Sequence, residues 1–288
     1  MGVKGGPLEF ERGDADRAGN LPPSLQVLIH AWRAAQPLSR DKMIRLWQDI
    51  RVAWNFSSNH LAGNSLSFSE TQWLLLDGGT RGEHHIREYD ELRGHDVAIE
   101  WVRHLANEAR HISEGDVRDL NRLVLKDGYW RTVCIEGEQE RRIWVEPGQY
   151  KVSLAQTPLA NSEKYAPASR DAIHVAMAEF LSWLGSELTA PTLNVLALLA
   201  QVHVRFGRIQ PFEDGNGRVT RLLLNFVLLR KGLLPVVVPS HQFKRYEEVC
   251  AVTWVGDEGE LKSFFQELVE CALKGGLAVA EGVDVVEV

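Results

Sequence analysis

Along most of the chain apolar residues recur at steps of three and four, the spacing that gathers them on one face of a helix. Residues 24–35, SLQVLIHAWRAA, and 40–56, RDKMIRLWQDIRVAWNF, both carry it, the second through Met43, Leu46, Trp47, Ile50 and Trp54. Ser67 stands three residues ahead of Glu70, a capping-box spacing that opens another helix. A long helix is expected from Glu88 to Ala109, with Ala98, Trp101, Val102 and Leu105 on one face, and further helices over Ala172–Glu187, Thr192–Phe206, Arg218–Lys231 and Glu258–Lys274. The period changes once. At 128–148, GYWRTVCIEGEQERRIWVEPG, two short β-branched and aromatic runs flank a charged, glycine-containing turn, which predicts a hairpin. Nothing repeats at a fixed period, which argues against a solenoid. The expected fold is mainly α: a helical bundle with one β-hairpin. Residues 1–20, polar and glycine-rich, read as a disordered lead.

Composition narrows the function classes. The 288 residues include 32 basic and 39 acidic side chains, a net charge of −7 that argues against a general nucleic-acid or membrane-surface binder but allows a local basic cleft. Three cysteines, Cys134, Cys250 and Cys271, are widely spaced and lack a CxxC pair, so neither a disulfide framework nor a zinc site is indicated and a reducing cytoplasm fits. The amino terminus lacks the apolar core of a secretory signal, and the apolar run from Val195 to Val204 is too short to span a bilayer. His84, His85 and Glu88 read as a solvated helix face rather than metal ligands, and the nine tryptophans mostly as core.

The stretch RIQPFEDGNGRVTRLLLNFVLL, residues 208–229, concentrates the candidate chemistry. Gly215 and Gly217 permit close backbone approach and positive φ, and the helix behind them opens with amide N–H groups that have no internal partner, which makes an anion cradle. Arg218 and Arg221 fall in the first turn, where positive charge opposes the helix dipole unless an anion sits there. Asp214 supplies a hard oxygen, and Mg²⁺ is usually held by one or two carboxylates plus substrate phosphates. The loop therefore reads as a site for a magnesium-bound polyphosphate. A Walker loop needs Lys-Ser/Thr where Arg218-Val219 stands, and an EF-hand loop from Asp214 fails at Val219 and Asn225. A simple Asp/Asn/Gly turn capping a core helix is the bland alternative.

These residues resemble the Fic family, whose motif reads HPFx(D/E)GN(G/K)RxxR; QPFEDGNGRVTR, 210–221, matches every specified position except the first. NFSSNHLAGNSLSFSET (55–71) is similar to the family's regulatory segment (S/T)xxxE(G/N), GYWRTVCI (128–135) to its flap and HQFKRYEEV (241–249) to its closing helix. After the lead over 1–20, the resemblance implies an N-terminal helical region over 21–111, a Fic core over 112–240 with its flap at 128–147, and C-terminal helices over 241–288. It implies transfer of AMP from ATP to a hydroxyl of a target protein. Asp214 then binds Mg²⁺; Gly215, Asn216 and Gly217 cradle phosphates; Arg218 and Arg221 hold the outer phosphates. Asn225 and Tyr246 resemble residues near the nucleoside, and Arg131, Thr132, Val133 and Cys134 dock the target by strand addition. A homodimer is compatible with the resemblance.

Two positions depart from the family pattern. Gln210 stands where the family has its base histidine, and an amide holds a hydroxyl but cannot take its proton. In the regulatory segment Ser58 and Gly63 fit, but Ala62 replaces the glutamate that pairs with the second motif arginine, so Arg221 is expected to be free for nucleotide and autoinhibition absent. Three accounts stay open: a chain altered at both positions, a nucleotide-binding pseudoenzyme, or a base supplied elsewhere. His203 is the obvious substitute in sequence, although a hydrogen-bonded core histidine is the favoured reading. Transfer of another phosphate-containing group also stays open.

Overall fold

The computed structural model describes residues 21–80, 82–133, 140–152, 170–254 and 258–283. Its helices are α1 (Pro23–Ala34), α2 (Arg40–His60), α3 (Phe68–Leu76), α4 (Ile86–Asn107) and α5 (Glu114–Leu125), then α6 (Arg170–Thr189), α7 (Val195–Ile209), α8 (Asn216–Arg230), α9 (Phe243–Trp254) and α10 (Gly259–Glu281). Between α5 and α6 lies the hairpin of β1 (Tyr129–Val133) and β2 (Arg141–Val145), antiparallel, with Trp130 opposite Trp144 and Arg131 opposite Ile143. The mainly helical fold with one hairpin is as the pattern predicts. The expected lead over 1–20 and the hairpin tip with Cys134 lie outside the described residues.

The sequence of α8 shows why it sits at the centre. Val219, Leu222, Leu223, Phe226 and Val227 line one face, Leu224, Leu228 and Leu229 fall on the others, and all are buried; a helix apolar all round belongs inside a bundle. Around it pack α4, α5, α7 and α2. The far side of α7 meets α10, which in turn covers α1, so the core is continuous from Leu25 and Trp32 to Phe264 and Phe265. No helix of the described residues is long and apolar enough to cross a membrane.

Local chemistry sets several ends. Ser67 and Glu70 form the expected capping box on α3, and Glu70 falls to about 2 because it takes hydrogen bonds from the Ser67 side chain and backbone. His84 meets Glu70 at 3.1 Å and His85 caps α4, so both histidines serve helix ends. The helix α5 was not among the expected elements, although Ser113 and Asp116 box its start and Val117, Leu120 and Val124 form its buried stripe. Helix α8 starts two residues earlier than periodicity suggests, at Asn216, because its first turn is polar.

Candidate active site

Helix α7 ends at Gln210, which takes a left-handed conformation (φ 41°, ψ 64°) with its N–H on the Phe206 carbonyl at 3.0 Å. The chain turns through buried Phe212 and enters α8 at Gly215 (φ 82°), a conformation that favours glycine. A Cβ on Gly215 would also lie 2.7 Å from Nδ2 of Asn121. Asn216 braces the turn from inside: Oδ1 accepts from the Phe212 N–H at 3.0 Å and Nδ2 donates to the Phe212 carbonyl at 2.7 Å. Buried Asn121 of α5 pins the turn from outside, donating to the Asp214 carbonyl at 2.8 Å and accepting from the Gly148 N–H at 2.8 Å. The loop is thus held on two sides while Gly217 stays exposed at the head of α8, beside helix N–H groups that lack intrahelical acceptors.

The charges around this turn come from four elements. The Asp214 Oδ2 accepts from the Tyr129 hydroxyl of β1, Oδ1 accepts from the Gly215 N–H at 2.6 Å, and Arg131 lies 3.6 Å from Oδ1. Burial opposes its charge, but Tyr129, Arg131 and Arg218 outweigh burial and keep the carboxyl below its ordinary value. The Arg87 guanidinium of α4 lies 3.2 Å from the centre of the Tyr129 ring and donates from Nε to Glu91 at 2.9 Å. Glu91 in turn lies 3.2 Å from Nη1 of Arg218, which also donates to the Val124 carbonyl at 3.1 Å.

Two expectations about the arginines are corrected here. Sequence spacing suggests two guanidiniums crowded at one helix end and needing an anion to offset them. Arg218 instead turns inward, 3 % exposed, and is neutralised by Glu91. Arg221 is not free: it donates from Nε to Ser58 Oγ at 3.0 Å and from Nη2 to the Ser58 carbonyl at 2.7 Å. Those acceptors sit in the last turn of α2, where helix carbonyls lack intrahelical partners and the dipole favours a cation. Nη1 of Arg221 stays near the cradle, 3.3 Å from where a Gly217 Cβ would be. Ala62 and Gly63, just past α2, are exposed.

The remaining candidates fall into two groups. Behind α8, Asn225 is buried and exchanges both amide hydrogen bonds with the Val236 backbone, at 3.0 and 2.8 Å. Tyr246 is buried with its hydroxyl 2.9 Å from Nε2 of His203, and Cys250 Sγ lies 3.5 Å from the same nitrogen. Burial, then Arg221, takes His203 down to about 4, and burial pushes the Cys250 thiol up to about 12. His203 is therefore the core histidine the sequence favours. A small pocket among Trp54, Ser58, Arg221, Val237 and Tyr246 joins this cluster to the end of α2. On the open side, Arg131 also donates to the Glu213 carbonyl at 3.1 Å, while Thr132 and Val133 continue outward along β1.

The segment that pairs with the motif backbone is Tyr150–Val152, after the hairpin. Tyr150 bridges Phe212, the Lys151 N–H donates to the Pro211 carbonyl at 2.8 Å, and the Val152 N–H donates to Glu213 Oε1 at 2.8 Å. Lys151, whose backbone meets Pro211 next to Gln210, is buried, and burial lowers its ammonium to about 8. Sequence reasoning missed Tyr129, Asn121, Glu91, Arg87 and Lys151. The only signal among them was the four-residue spacing of Arg87 and Glu91, a helix pair whose second partner no local pattern reveals.

A magnesium ion shared with a polyphosphate needs few protein ligands. Asp214 offers one carboxylate at the turn, and the described residues hold no cluster of three or more His, Cys, Asp or Glu able to cage a metal. That donor set fits an ion delivered with its nucleotide.

Comparison with known proteins places this geometry. A family model described as Fic/DOC family matches residues 111–228. Among curated proteins, protein adenylyltransferase Fic of Drosophila willistoni is 27% identical over 261 residues, covering 91% of this chain and 47% of the relative. That of Drosophila grimshawi is 28% identical, covering 91% and 48%. The chain thus spans about half the length of these curated relatives. Among solved structures, a Fic-domain-containing signaling protein from Bacteroides thetaiotaomicron superposes with a TM-score of 0.82 at 28% identity, covering 92% of this chain and 99% of that one. Fic-1 from C. elegans shares the fold, with a TM-score of 0.72 at 23% identity, covering 90% and 72%. With the motif at 210–221 lying on the turn between α7 and α8 and these matches along the chain, residues 111–228 form a segment that matches the Fic/DOC family, within a chain that shares the fold of Fic-domain structures.

Proposed function

We propose that the chain is a protein adenylyltransferase that takes ATP with Mg²⁺ at the α7–α8 turn and transfers AMP to a hydroxyl side chain of a target protein, slowly, because Gln210 replaces the base. The observation that carries this is the turn itself: an open helix amino terminus at Gly217, with Asp214 beside it, Arg218 buried beneath it and Nη1 of Arg221 close to Gly217. The curated relatives named protein adenylyltransferase support the reaction class.

The residues divide the work. Gly215, Asn216 and Gly217 present backbone N–H groups to phosphate oxygens, and Asn216 keeps the turn in shape through Phe212. Arg218 adds fixed charge from beneath. Asp214 would hold the Mg²⁺, which when bound would supply positive charge to offset that of the phosphates. Arg221 reaches the outer phosphates after leaving Ser58. Arg131, Thr132 and Val133, with Cys134 beyond the described residues, receive the target by strand addition. Asn225 and Tyr246 shape the nucleoside end from behind, through Val236 and Arg221. Ala62 cannot pair with Arg221, so inhibition through that position is absent. Gln210 orients the acceptor hydroxyl without taking its proton; alignment and charge stabilisation sustain residual turnover.

The test is incubation of the full chain with labelled ATP, Mg²⁺ and a mixture of acceptor proteins. Transfer is expected to be weak and to rise by about 10²–10⁴-fold in Gln210→His. A second reading, a nucleotide-binding docking module without transfer, is favoured by the burial of His203, which leaves that histidine unable to stand in as base. Saturable nucleotide binding with no labelled protein, even in Gln210→His, would decide for it.

A further inference from the structure

We infer that Glu91 of α4, upstream of the matched family segment, is a positioning residue for Arg218, and that Arg87 and Tyr129 extend the same chain of contacts to Asp214. The purpose of this arrangement rests on the nucleotide reading above; its geometry does not.

A guanidinium that is 3 % exposed is costly unless paired and hydrogen-bonded. Arg218 finds its carboxylate in Glu91, itself buried, at 3.2 Å, and the same Nη1 donates to the Val124 carbonyl. Glu91 is shared: its other oxygen receives Arg87 Nε at 2.9 Å and Nη2 at 2.8 Å. Arg87 covers the ring of Tyr129, whose hydroxyl donates to Asp214. The carboxylate and the arginine that frame the phosphate turn are therefore two ends of one path through α4.

The consequence follows from the shape of arginine. Its planar fork is rigid, so fixing one corner fixes the direction of the others. The hydrogen bond of Arg218 to the Val124 carbonyl and its ion pair with Glu91 both run through Nη1; Nε is buried without a partner, and Nη2 takes part in neither contact. Glu91 thus sets which edge of the guanidinium is left for a ligand. An ordinary stabilising pair within α4 would involve Arg87 alone, four residues back on the same helix. The contact to Arg218 crosses to α8 and serves the turn. The charge geometry of the site is accordingly not a property of residues 111–228 by themselves.

The experiment uses the full chain and reads Arg218 directly. Its Nε–H signal in a nitrogen-resolved NMR spectrum, identified by its loss in Arg218→Lys, should exchange slowly with solvent. In Glu91→Gln that exchange should quicken by about tenfold or more with the backbone spectrum retained, since the buried ion pair that anchors the guanidinium at Nη1 is lost and Nε is less firmly held in its buried place. Mg-ATP affinity by equilibrium dialysis should fall by about tenfold, and Glu91→Gln should add nothing in the Arg218→Lys background. An unchanged exchange rate in folded Glu91→Gln overturns the assignment, as does an equal affinity loss with and without Arg218. If Glu91→Gln does not fold, Arg87→Gln takes its place: a shifted Arg218 signal supports the path, and an unmoved one overturns it. A native chain that binds no Mg-ATP would remove the nucleotide reading, while Arg218 exchange would still decide whether Glu91 holds the guanidinium.

Discussion

Arg221 is held by one side chain and one carbonyl of the same residue, and the two can be separated. Ser58→Ala removes the hydroxyl that accepts from Nε and leaves the carbonyl that accepts from Nη2. A single neutral-acceptor hydrogen bond is worth about 1 kcal/mol net, so Arg221 should leave α2 more easily and Mg-ATP affinity should rise by about 2–10-fold. Calorimetric titration measures it, and an unchanged or weaker affinity would mean that Ser58 holds Arg221 in its binding posture. Ala62→Glu offers a competing carboxylate from an exposed position just past α2, and it should weaken Mg-ATP binding in the same titration. Binding indifferent to Glu at 62 would count against any inhibitory role for this segment. At this scale the sequence was legible where the chemistry is contiguous: Asp214, the two glycines and both arginines lie within eight consecutive residues, 214–221. It was not legible where a partner comes from another helix. Glu91 and Ser58 answer Arg218 and Arg221 across the bundle, and no spacing rule links them.

The turn between α7 and α8 depends on α5 as much as on its own glycines. Asn121→Ala would strand the buried Gly148 N–H and release the Asp214 carbonyl. Leaving a buried donor unpaired costs about 1–3 kcal/mol, so the urea midpoint should fall while helix content by circular dichroism is unchanged. Gly215→Ala acts on the same contact from the other side, forcing φ 82° on a residue with a Cβ and pressing it on Asn121 Nδ2. Strain of this kind costs about 1–3 kcal/mol, and a melting temperature equal to the native one would show that the turn relaxes freely. The element that carries Asn121 is one that neither the pattern nor the resemblance singles out. Helix α5 is short and follows a polar linker, so its buried stripe of Val117, Leu120 and Val124 competes weakly with the charges around it. The hairpin, by contrast, was legible because its β-branched and aromatic runs break the helical period, yet its sequence could not show that Tyr150–Val152 beyond it pairs with the motif.

Across the whole molecule the buried histidines set a sensitivity to acid. His203 joins α7 to α9 through Tyr246 and Cys250 and packs its ring on Phe265 of α10. His95 of α4 is fully buried, edge-on to Trp54 of α2, and burial, then Arg218 and Arg221, holds it well below the ordinary histidine value. Both are neutral in the folded chain. With His203 at about 4 when folded and 6.5 when unfolded, the unfolded chain binds the extra proton first as pH falls. Its stabilising contribution is therefore complete above about pH 6.5 and lost progressively toward pH 4; this one group accounts for at most about 3 kcal/mol. His95 acts in the same direction. The lowered carboxyls Glu70 and Asp116, both about 2, add their losses only as pH drops below their ordinary values of 4.5 and 3.8, so the two windows separate. Urea unfolding between pH 7.5 and 4.5 should show stability declining below about pH 6.5 in the native chain. In His203→Gln, which keeps a polar partner for Tyr246, the decline should be shallower, and shallower still when His95 is also replaced. A native chain equally stable at pH 6.5 and 4.5 would mean that these rings take up protons without unfolding, and that the helices around α8 separate more readily than their packing implies.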